Sequence, residues 1–445
     1  MGKEITEKAL HEFEQRFVND KNNIAFMNAI TGSGILSVSK VFEDKYKTKM
    51  VFSKEIKTSK VTAQNSSGRC WLFAGLNLFR HKIERELNIE QFELSQSHLM
   101  FYDKLEKANY FLESIFDTIE METSSRTINH LLTHIVEDGG QWDMFCNLVK
   151  KYGVMPKDAM DESFHSSNSR MMNKFLILKL REFACSIREQ HKAGVALENL
   201  KMQKEKMIET VYDMLCRFLS KPITTFDFEY TDKDGQYHLT ENMNSMTFFK
   251  EIVNIDLADY VSVINAPTED KPMNKVYTVK LLGNVIEGEK IKYLNVDIEK
   301  MKQLAKAQLS DDEPVWFGCD VGQMSNSDDG VMSMEVYDFE APLGTSFRMT
   351  KAQRLDYGES VLTHAMLFTG VNIRPDGSTD RWKVENSWGD KKGKTGYFMM
   401  TDKWFEEYMY EIAVPKKYLD KQLLLALEED MIELEPWDPM GSLAK

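Results

Sequence analysis

The spacing of apolar residues changes at about residue 220 of this chain. Before that point apolar side chains recur every three or four positions, as in the run from Trp71 to Leu87, which is typical of amphipathic helices. The same spacing predicts a helix through Leu112 with Ser95 as its N-cap, and another helix from Ser124 to Glu137. Residues 168–220 contain no proline and a single glycine, Gly194, so they predict two long helices. Beyond residue 220, runs of aromatic and β-branched residues such as 276–279 and 315–318 indicate strands. We therefore expect helices and strands in separate parts of the chain.

The composition is that of a large globular protein without a polyanionic partner. With 445 residues, 42% of them hydrophobic, the chain can build a sizeable core and, by its length, about two or three domains. The net charge of −14 and the lack of a basic stripe argue against binding to nucleic acid or to an anionic membrane. No stretch is apolar for long enough to cross a bilayer, and the first residues lack an apolar signal core. We expect a cytoplasmic protein.

The five cysteines are scattered and include no Cys-x-x-Cys pair. They predict neither a zinc knuckle nor a disulfide framework, and they fit a reducing compartment. His130 and His134 have the i, i+4 spacing of metal ligands on a helix, but Glu137 is their only nearby acidic companion, so we expect no metal there. Nothing in the sequence predicts a cofactor.

Cys70 lies at the predicted start of the helix that runs to about Leu87. Backbone N–H groups at a helix N-terminus carry a partial positive charge and favour the thiolate, the form that attacks carbonyl carbons. The alternative is a buried small apolar residue, the usual state of a free cysteine. The residues that accompany Cys70 decide between these interpretations.

A cysteine hydrolase needs a base, a group that orients the base, and donors for the developing oxyanion. His364 lies on a predicted strand, and Asn386 lies 22 residues later on the next one, where its amide could hold the imidazole. Gln64 precedes Cys70 by six residues, so its side-chain amide and the Cys70 backbone N–H could converge on a carbonyl oxygen. Trp388 could cover the bond between histidine and asparagine and exclude water. For His364 and Trp388 the alternative is an ordinary place in the core.

These residues occur in the order found in papain-like cysteine peptidases, which the chain resembles. The matching elements are Gln64, Gly68-x-Cys70-Trp71, His364 and Asn386-Ser387-Trp388-Gly389. A fifth element, Asp138 to Trp142, resembles the paired-glycine segment that hydrogen-bonds extended peptide in the cleft of that family. Glycine permits close backbone approach, so Gly139 and Gly140 are expected to bind substrate.

The chain also departs from the pattern of secreted papain-like enzymes. Ser67 stands in the place of a disulfide cysteine, and Arg69 in that of a small residue. The 294 residues from Cys70 to His364 exceed the roughly 130–150 usual for cathepsin-type enzymes. About 150 extra residues must therefore be accommodated between the two halves of the site.

Further motifs narrow the resemblance to the family of bleomycin hydrolase and bacterial aminopeptidase C. They are Gly68 to Ala74, Asp103 to Glu113, Asp138 to Asp143, Tyr152 to Lys157 and the tail Pro436 to Lys445. The resemblance implies an α+β fold, with a papain-like core made of a helical half and an antiparallel β half, a helical insertion and a C-terminal arm.

The expected segments are a lead-in wrapping the core (1–60), the helical half with the nucleophile (61–160), a helical insertion for oligomerisation (161–225), the β half with the histidine and asparagine (226–420) and an arm that reaches the active site (421–445). For the insertion, the alternative is an ordinary helical part of one core.

The resemblance also implies a broad-specificity cysteine aminopeptidase that acts on peptides with a free N-terminus. Six subunits are expected to form a hollow barrel whose active sites face the internal cavity. The arm is expected to enter the cleft, where a terminal carboxylate meets the substrate amino group, so Ala444 and Lys445 are predicted to contact substrate. Some relatives trim their own terminal lysine, which would make Ala444 the mature end. A disordered surface tail is the alternative.

Two other functions stay open from the sequence. One is a different acyl transferase or amidase with the same triad, such as a transglutaminase-like enzyme, which would need an amine acceptor. The other is a cage-like binding protein with a vestigial triad, and the intact set of Gln64, Cys70, His364 and Asn386 argues against it.

Overall fold

The computed structural model describes residues 4–44 and 48–444, so Lys445 lies outside the described residues. Most helices of the described chain precede residue 220. They are α1 (Glu7–Val18), α2 (Lys21–Ser33), α3 (Ile35–Ser39), α4 (Cys70–Glu86), α5 (Gln96–Asp117), α6 (Arg126–Thr133), α7 (Trp142–Tyr152), α8 (Phe164–Ser167), α9 (Arg170–Lys192) and α10 (Leu197–Leu219). The later helices are α11 (Ser245–Phe248), α12 (Ile298–Ser310), α13 (Glu340–Leu343), α14 (Lys351–Asp356), α15 (Asp402–Tyr408) and α16 (Lys421–Ala426).

Helix α4 begins at Cys70, within one residue of the predicted start, and is buried on every face over residues 70–81. Helix α5 packs beside it. The predicted N-cap of α5, Ser95, is confirmed, because its hydroxyl accepts a hydrogen bond from the backbone N–H of His98 at 3.1 Å. These two helices form the framework on which the thiol is placed.

The helix predicted for residues 124–137 is shorter, and ends at Thr133. Two lysines of α5 provide the physical reason. Lys104 donates to the carbonyl of Val136 at 2.7 Å, and Lys107 donates to the carbonyl of Glu137 at 2.9 Å. The backbone after Thr133 therefore has side-chain partners in place of helical ones, and it leads through a bend into the glycine segment, Asp138 to Trp142.

Two long helices, α9 and α10, occupy the region for which two were predicted. They are separated by a turn at Gly194, whose φ of +85° suits glycine, and they pack on one another and on α5. Each buries one narrow stripe, with Leu176, Leu180 and Ala184 spaced four apart on α9. No helix in the described ranges is long and apolar enough to cross a bilayer.

The strands of the described chain are β1 (Lys54–Glu55), β2 (Phe226–Thr231), β3 (Tyr237–Met243), β4 (Tyr260–Ile264), β5 (Lys275–Val279), β6 (Tyr293–Asn295), β7 (Val315–Cys319), β8 (Ser325–Asn326), β9 (Val331–Met332), β10 (His364–Ile373), β11 (Thr379–Glu385), β12 (Tyr397–Thr401), β13 (Met409–Pro415) and β14 (Ile432–Leu434). Strands β2 and β3 form a separate hairpin.

The other strands form one large, mainly antiparallel sheet with the order β14-β5-β6-β4-β13-β7-β10-β11-β12-β9-β8, and β1 pairs with β10. The exceptions are the parallel pairs β14 with β5, β4 with β6 and β12 with β9. The separation of helices from sheet confirms the α+β fold. The five segment boundaries remain a prediction.

A buried ionic group joins the helical half to the sheet directly behind the site. Arg80 and His81 of α4 bond the two carboxylate oxygens of Glu385, the last residue of β11, at 2.5 and 2.9 Å. Burial would raise the pKa of Glu385, but the Arg80 and His81 side chains hold it below its ordinary value. Because Asn386 follows Glu385 directly, this group fixes the backbone that presents the asparagine.

Candidate active site

Cys70 occupies the first position of α4 and is completely buried. Its Sγ accepts a hydrogen bond from the backbone N–H of Ala365 at 3.4 Å, so the thiol touches the start of β10. Burial raises the pKa of the thiol to about 12, against backbone N–H groups of Ala365, Trp71 and Cys70 that lower it. The N–H groups at the helix start lower the pKa of the thiol, as the sequence predicts, but desolvation by burial outweighs them.

His364 is the first residue of β10, next to the residue that contacts Sγ. Its Nε2 lies 3.0 Å from Oδ1 of Asn386. This amide oxygen also accepts from the backbone N–H of Ser387 at 2.8 Å, which fixes the amide orientation. An amide oxygen only accepts, so Nε2 carries the proton and Nδ1 keeps a free lone pair. Burial lowers the pKa of His364 to about 4, against the Asn386 hydrogen bond, so the ring is neutral at pH 7.

Trp388 stands beside the histidine. The ring centroids of His364 and Trp388 are 4.9 Å apart, at an interplanar angle of 34°. Asn386 itself is buried, and its Nδ2 makes no hydrogen bond within the described chain. The tryptophan therefore lies where it excludes water from the neighbourhood of the bond between imidazole and amide.

Gln64 is held from both ends of its side-chain amide. Its Nε2 donates to the carbonyl of Ser67 at 2.6 Å, and its Oε1 accepts from the hydroxyl of Ser387 at 2.6 Å. The backbone N–H of Gln64 also donates to the Ser387 carbonyl at 2.8 Å. Since a side-chain NH₂ has two protons, one remains to donate to another acceptor from a fixed position. Sequence reasoning missed Ser387 as the partner, although it lies inside the Asn-Ser-Trp motif.

The glycine segment holds the end of the arm. The N–H of Gly140 donates to the carbonyl of Ala444 at 3.1 Å in an antiparallel bridge, and Ala444 is fully buried. A Cβ at Gly140 would lie 2.5 Å from the Trp71 ring, so glycine is required there. The carbonyl of Gly139 accepts from Lys107 at 2.6 Å. Of the two predicted glycines, Gly140 is the one that pairs with the described part of the arm, which ends at Ala444.

The arm is anchored at several points before it reaches Gly140. Strand β14 extends the sheet, Asp438 pairs with Lys271 at 2.8 Å, and the Trp437 ring lies 3.9 Å from the Arg126 guanidinium carbon. Nearer the site, the Ser442 hydroxyl donates to the Leu362 carbonyl at 2.7 Å. For residues 436–444 of the tail, the disordered alternative was wrong. The residues that hold the tail lie far from it in the sequence, so the sequence did not predict these contacts.

The structure thus brings Gln64, Cys70, His364, Asn386 and Trp388 together, with Gly140 and Ala444 beside them. The residues set aside as a metal site, His130 and His134, line a cavity together with Ser442 and Leu443 of the arm, and His134 is bonded to Glu137 at 3.1 Å. Within residues 4–44 and 48–444, no three His, Cys, Asp or Glu side chains are grouped so as to hold a metal ion. A thiol at a helix start, bonded to the residue that follows a histidine oriented by an asparagine, is the arrangement of a papain-like cysteine peptidase.

Comparison with known proteins places the chain within that class. The Peptidase C1-like family matches residues 4–441. Aminopeptidase C of Listeria monocytogenes is 44% identical over 444 residues, which cover 100% of both chains. Bleomycin hydrolase of Rattus norvegicus is 42% identical over 391 residues, 86% of each chain. The crystal structure of PepW from Lactobacillus rhamnosis has a TM-score of 0.98 and 43% identity, and covers 100% of both chains.

The chain belongs to the Peptidase C1-like family and, within it, to the cysteine-type aminopeptidases related to aminopeptidase C and bleomycin hydrolase. The family predicted from the sequence motifs is confirmed.

Proposed function

We propose that this protein removes N-terminal residues one at a time from peptides with a free amino group, with broad specificity, through a thioester on Cys70. The observation that carries the proposal is the bridge between Ala444 and Gly140 beside the buried thiol. An extended strand paired with Gly140 occupies the place where upstream residues of a longer substrate would pair, so the cleft is left open to the first residue of a peptide.

In the first half of the reaction, Sγ of Cys70 attacks the scissile carbonyl carbon while the thiol proton moves to Nδ1 of His364. The Gln64 side-chain N–H and the Cys70 backbone N–H donate to the oxyanion. His364 then gives the proton to the leaving amine, the C–N bond breaks, and the N-terminal residue remains as a thioester. A thiol and an imidazole that are both neutral before attack favour proton transfer coupled to bond formation.

In the second half, water attacks the thioester carbonyl while His364 takes a proton from it. The C–S bond breaks, the amino acid leaves, and the proton returns to the sulfur. Asn386 holds the imidazole in one tautomer through both halves, because its oxygen accepts from Nε2 at 3.0 Å. Trp388 shields that bond from water.

We propose that the arm restricts the enzyme to peptides with a free N-terminus. A terminal carboxylate at the end of the arm would form a charge-assisted bond with the substrate ammonium, and the arm itself would exclude chains that extend further upstream. Removal of Lys445 by the enzyme would leave this carboxylate on Ala444, whose carbonyl bonds Gly140. Lys445 and Ala444 are accordingly proposed as the residues nearest the substrate amine.

We further propose a cytosolic homohexamer. All five cysteines are free thiols, which supports a reducing compartment. Helices α1 and α2 bury no residue within the described chain, and α1 presents Leu10, Phe13 and Phe17 with at least 40% of each side chain exposed. Such a face supports contact with another subunit. Sedimentation velocity should give six times the mass of one chain, whereas a monomer at micromolar concentration would contradict the hexamer.

The proposed function predicts a sharp difference between two peptides of the same sequence, one with a free N-terminus and one acetylated. We expect kcat/KM for the acetylated peptide to be lower by about 100-fold or more, because loss of one partner from a desolvated charge pair costs about 2–5 kcal/mol. Release of free amino acids is measured, and intact mass records whether Lys445 is lost. Equal cleavage of both peptides, or cleavage only when an amine acceptor is added, would contradict the proposal.

A further inference from the structure

The carboxylate of Asp138 binds three separate segments near the thiol. Oδ2 of Asp138 accepts from the backbone N–H of Gly68 at 3.0 Å and from the hydroxyl of Ser169. Oδ1 accepts from the side-chain amide of Asn173 at 2.7 Å and from Nζ of Lys104 at 2.6 Å. The carboxylate therefore touches the loop before the nucleophile, the start of α9 and helix α5 at the same time.

The backbone of the same residue holds the other side of the nucleophile. The carbonyl of Asp138 accepts from Nε1 of Trp71 at 2.7 Å, and Trp71 follows Cys70 directly. The Trp71 ring also fills the space that a Cβ at Gly140 would need. Residues 68 and 71, which flank the thiol, are thus both bonded to the residue that begins the glycine segment.

Other bonds of the nucleophile loop lead elsewhere. The side chain of Arg69 binds Glu162 through two parallel bonds, of 3.0 and 2.9 Å, and Gln64 is bonded to Ser387. In the described chain, the hydrogen bond from the Gly68 N–H to Asp138 links the loop before Cys70 to the glycine segment, which pairs with the arm. Its loss would leave the loop side of the thiol without a bond to that segment, while Trp71 holds the other side.

The charge on Asp138 is maintained in spite of its burial. Burial would raise the pKa of this carboxyl, but the Lys104 ammonium and the donors Ser169 and Gly68 hold it well below its ordinary value. Lys104 is completely buried, so each partner compensates the charge of the other. A four-donor carboxylate of this kind is rigid, since no lone pair remains free to choose another partner.

We propose that Asp138 is a positioning residue for the reaction. Its carboxylate sets the distance between the Cys70 thiol and the glycine segment, along which the arm and the substrate are aligned. The inference rests on the proposed function for its peptide assay. Misplacement of a reacting atom by about 1 Å costs on the order of 100-fold in rate, so a bond of this kind matters to kcat even though it touches no substrate.

The test compares two double variants, K104M/D138N and K104M/D138L. Both remove the same pair of charges, so neither leaves a buried ion alone. The asparagine keeps an oxygen for the Gly68 N–H, and its NH₂ can meet Oδ1 of Asn173, which is buried and unpartnered in the described chain. Leucine has a similar size but accepts no hydrogen bond. The two proteins therefore differ in the bond that the proposal requires.

We expect kcat of K104M/D138N to stay within about 5-fold of the parent, and kcat of K104M/D138L to fall about 100-fold, with KM changed less than about 3-fold in both. The alkylation rate of Cys70 by iodoacetamide, located by peptide mapping, should fall in the leucine variant alone. This rate needs no peptide hydrolysis, so it tests Asp138 even if the proposed function fails. Equal kcat and equal alkylation in the two variants would overturn the proposal.

If the leucine variant does not fold, S169A provides a milder test with a matched control. The hydroxyl of Ser169 donates to Asp138, whereas that of the similarly buried Ser114 donates to the Tyr110 carbonyl, away from the site. We expect S169A to lower kcat about 3- to 10-fold, and S114A to leave it unchanged, at similar free energies of unfolding. The same kcat in both serine variants would also count against the role of Asp138.

Discussion

Replacing Cys70 by alanine is expected to lower kcat by about 10⁵-fold or more while the protein remains folded. The thiol makes the covalent bond of both half-reactions, and loss of a nucleophile from a catalytic triad costs on the order of 10⁶ in kcat. Removing one sulfur from a packed site costs about 1 kcal/mol, which leaves the cooperative unfolding transition intact. Single-turnover release of an N-terminal residue, with urea unfolding alongside, measures both effects.

A second buried free cysteine provides the control. Cys146 lies on α7, away from the site, and is as shielded from solvent as a core residue. The variant C146A loses the same atom from a similar environment, so we expect it to keep full peptidase activity. Activity retained by a pure preparation of C70A, or lost equally in C70A and C146A, would remove Cys70 from its proposed role.

Deletion of Leu443, Ala444 and Lys445 is expected to change which peptides are cleaved. The Gly140 N–H loses its partner, and the upstream part of the cleft opens. We expect kcat/KM for a free-amine peptide to fall about 100-fold, because the charge partner of its ammonium is gone, while acetylated peptides become substrates. The ratio of the two kcat/KM values should therefore shift by about 100-fold or more. Cleavage sites mapped by mass spectrometry would show internal cuts.

Deletion of Lys445 alone is the matched control for that experiment. It shortens the chain but leaves Ala444 and its bond to Gly140. If a carboxylate on Ala444 is the group that meets substrate, this variant should prefer free N-termini at least as strongly as the parent. If both deletion variants showed the same preference for free N-termini, the arm would not determine which peptides are cleaved.

The helices and the main strands could be predicted because their signals are local. Apolar spacing located α4, α9 and α10, and Ser95 identified the start of α5 by its capping chemistry. The helix predicted to reach Glu137 was too long, because what ends it is a pair of lysines on α5. Nothing near residue 133 in the sequence records those partners.

The site residues could be predicted from motif order, whereas their electrostatics could not. The sequence places Cys70 at a helix start, which lowers the pKa of a thiol, but it does not reveal how many neighbours exclude water from it. Burial in the folded protein raises the pKa of the thiol instead. The hydrogen bonds of Asp138 could not be predicted either. The sequence shows it only as the first residue of a glycine motif, because its four donors come from three separate segments.

The way Asp138 is held has a consequence for the conditions under which such a site survives. Ser67 stands where secreted relatives of the fold carry a cystine, and none of the five cysteines here is cross-linked. A sulfur nucleophile must be kept reduced, and the reductants that protect it also attack cystines. A framework of ionic hydrogen bonds is indifferent to thiols. Reductants that protect the nucleophile therefore leave the scaffold around it intact.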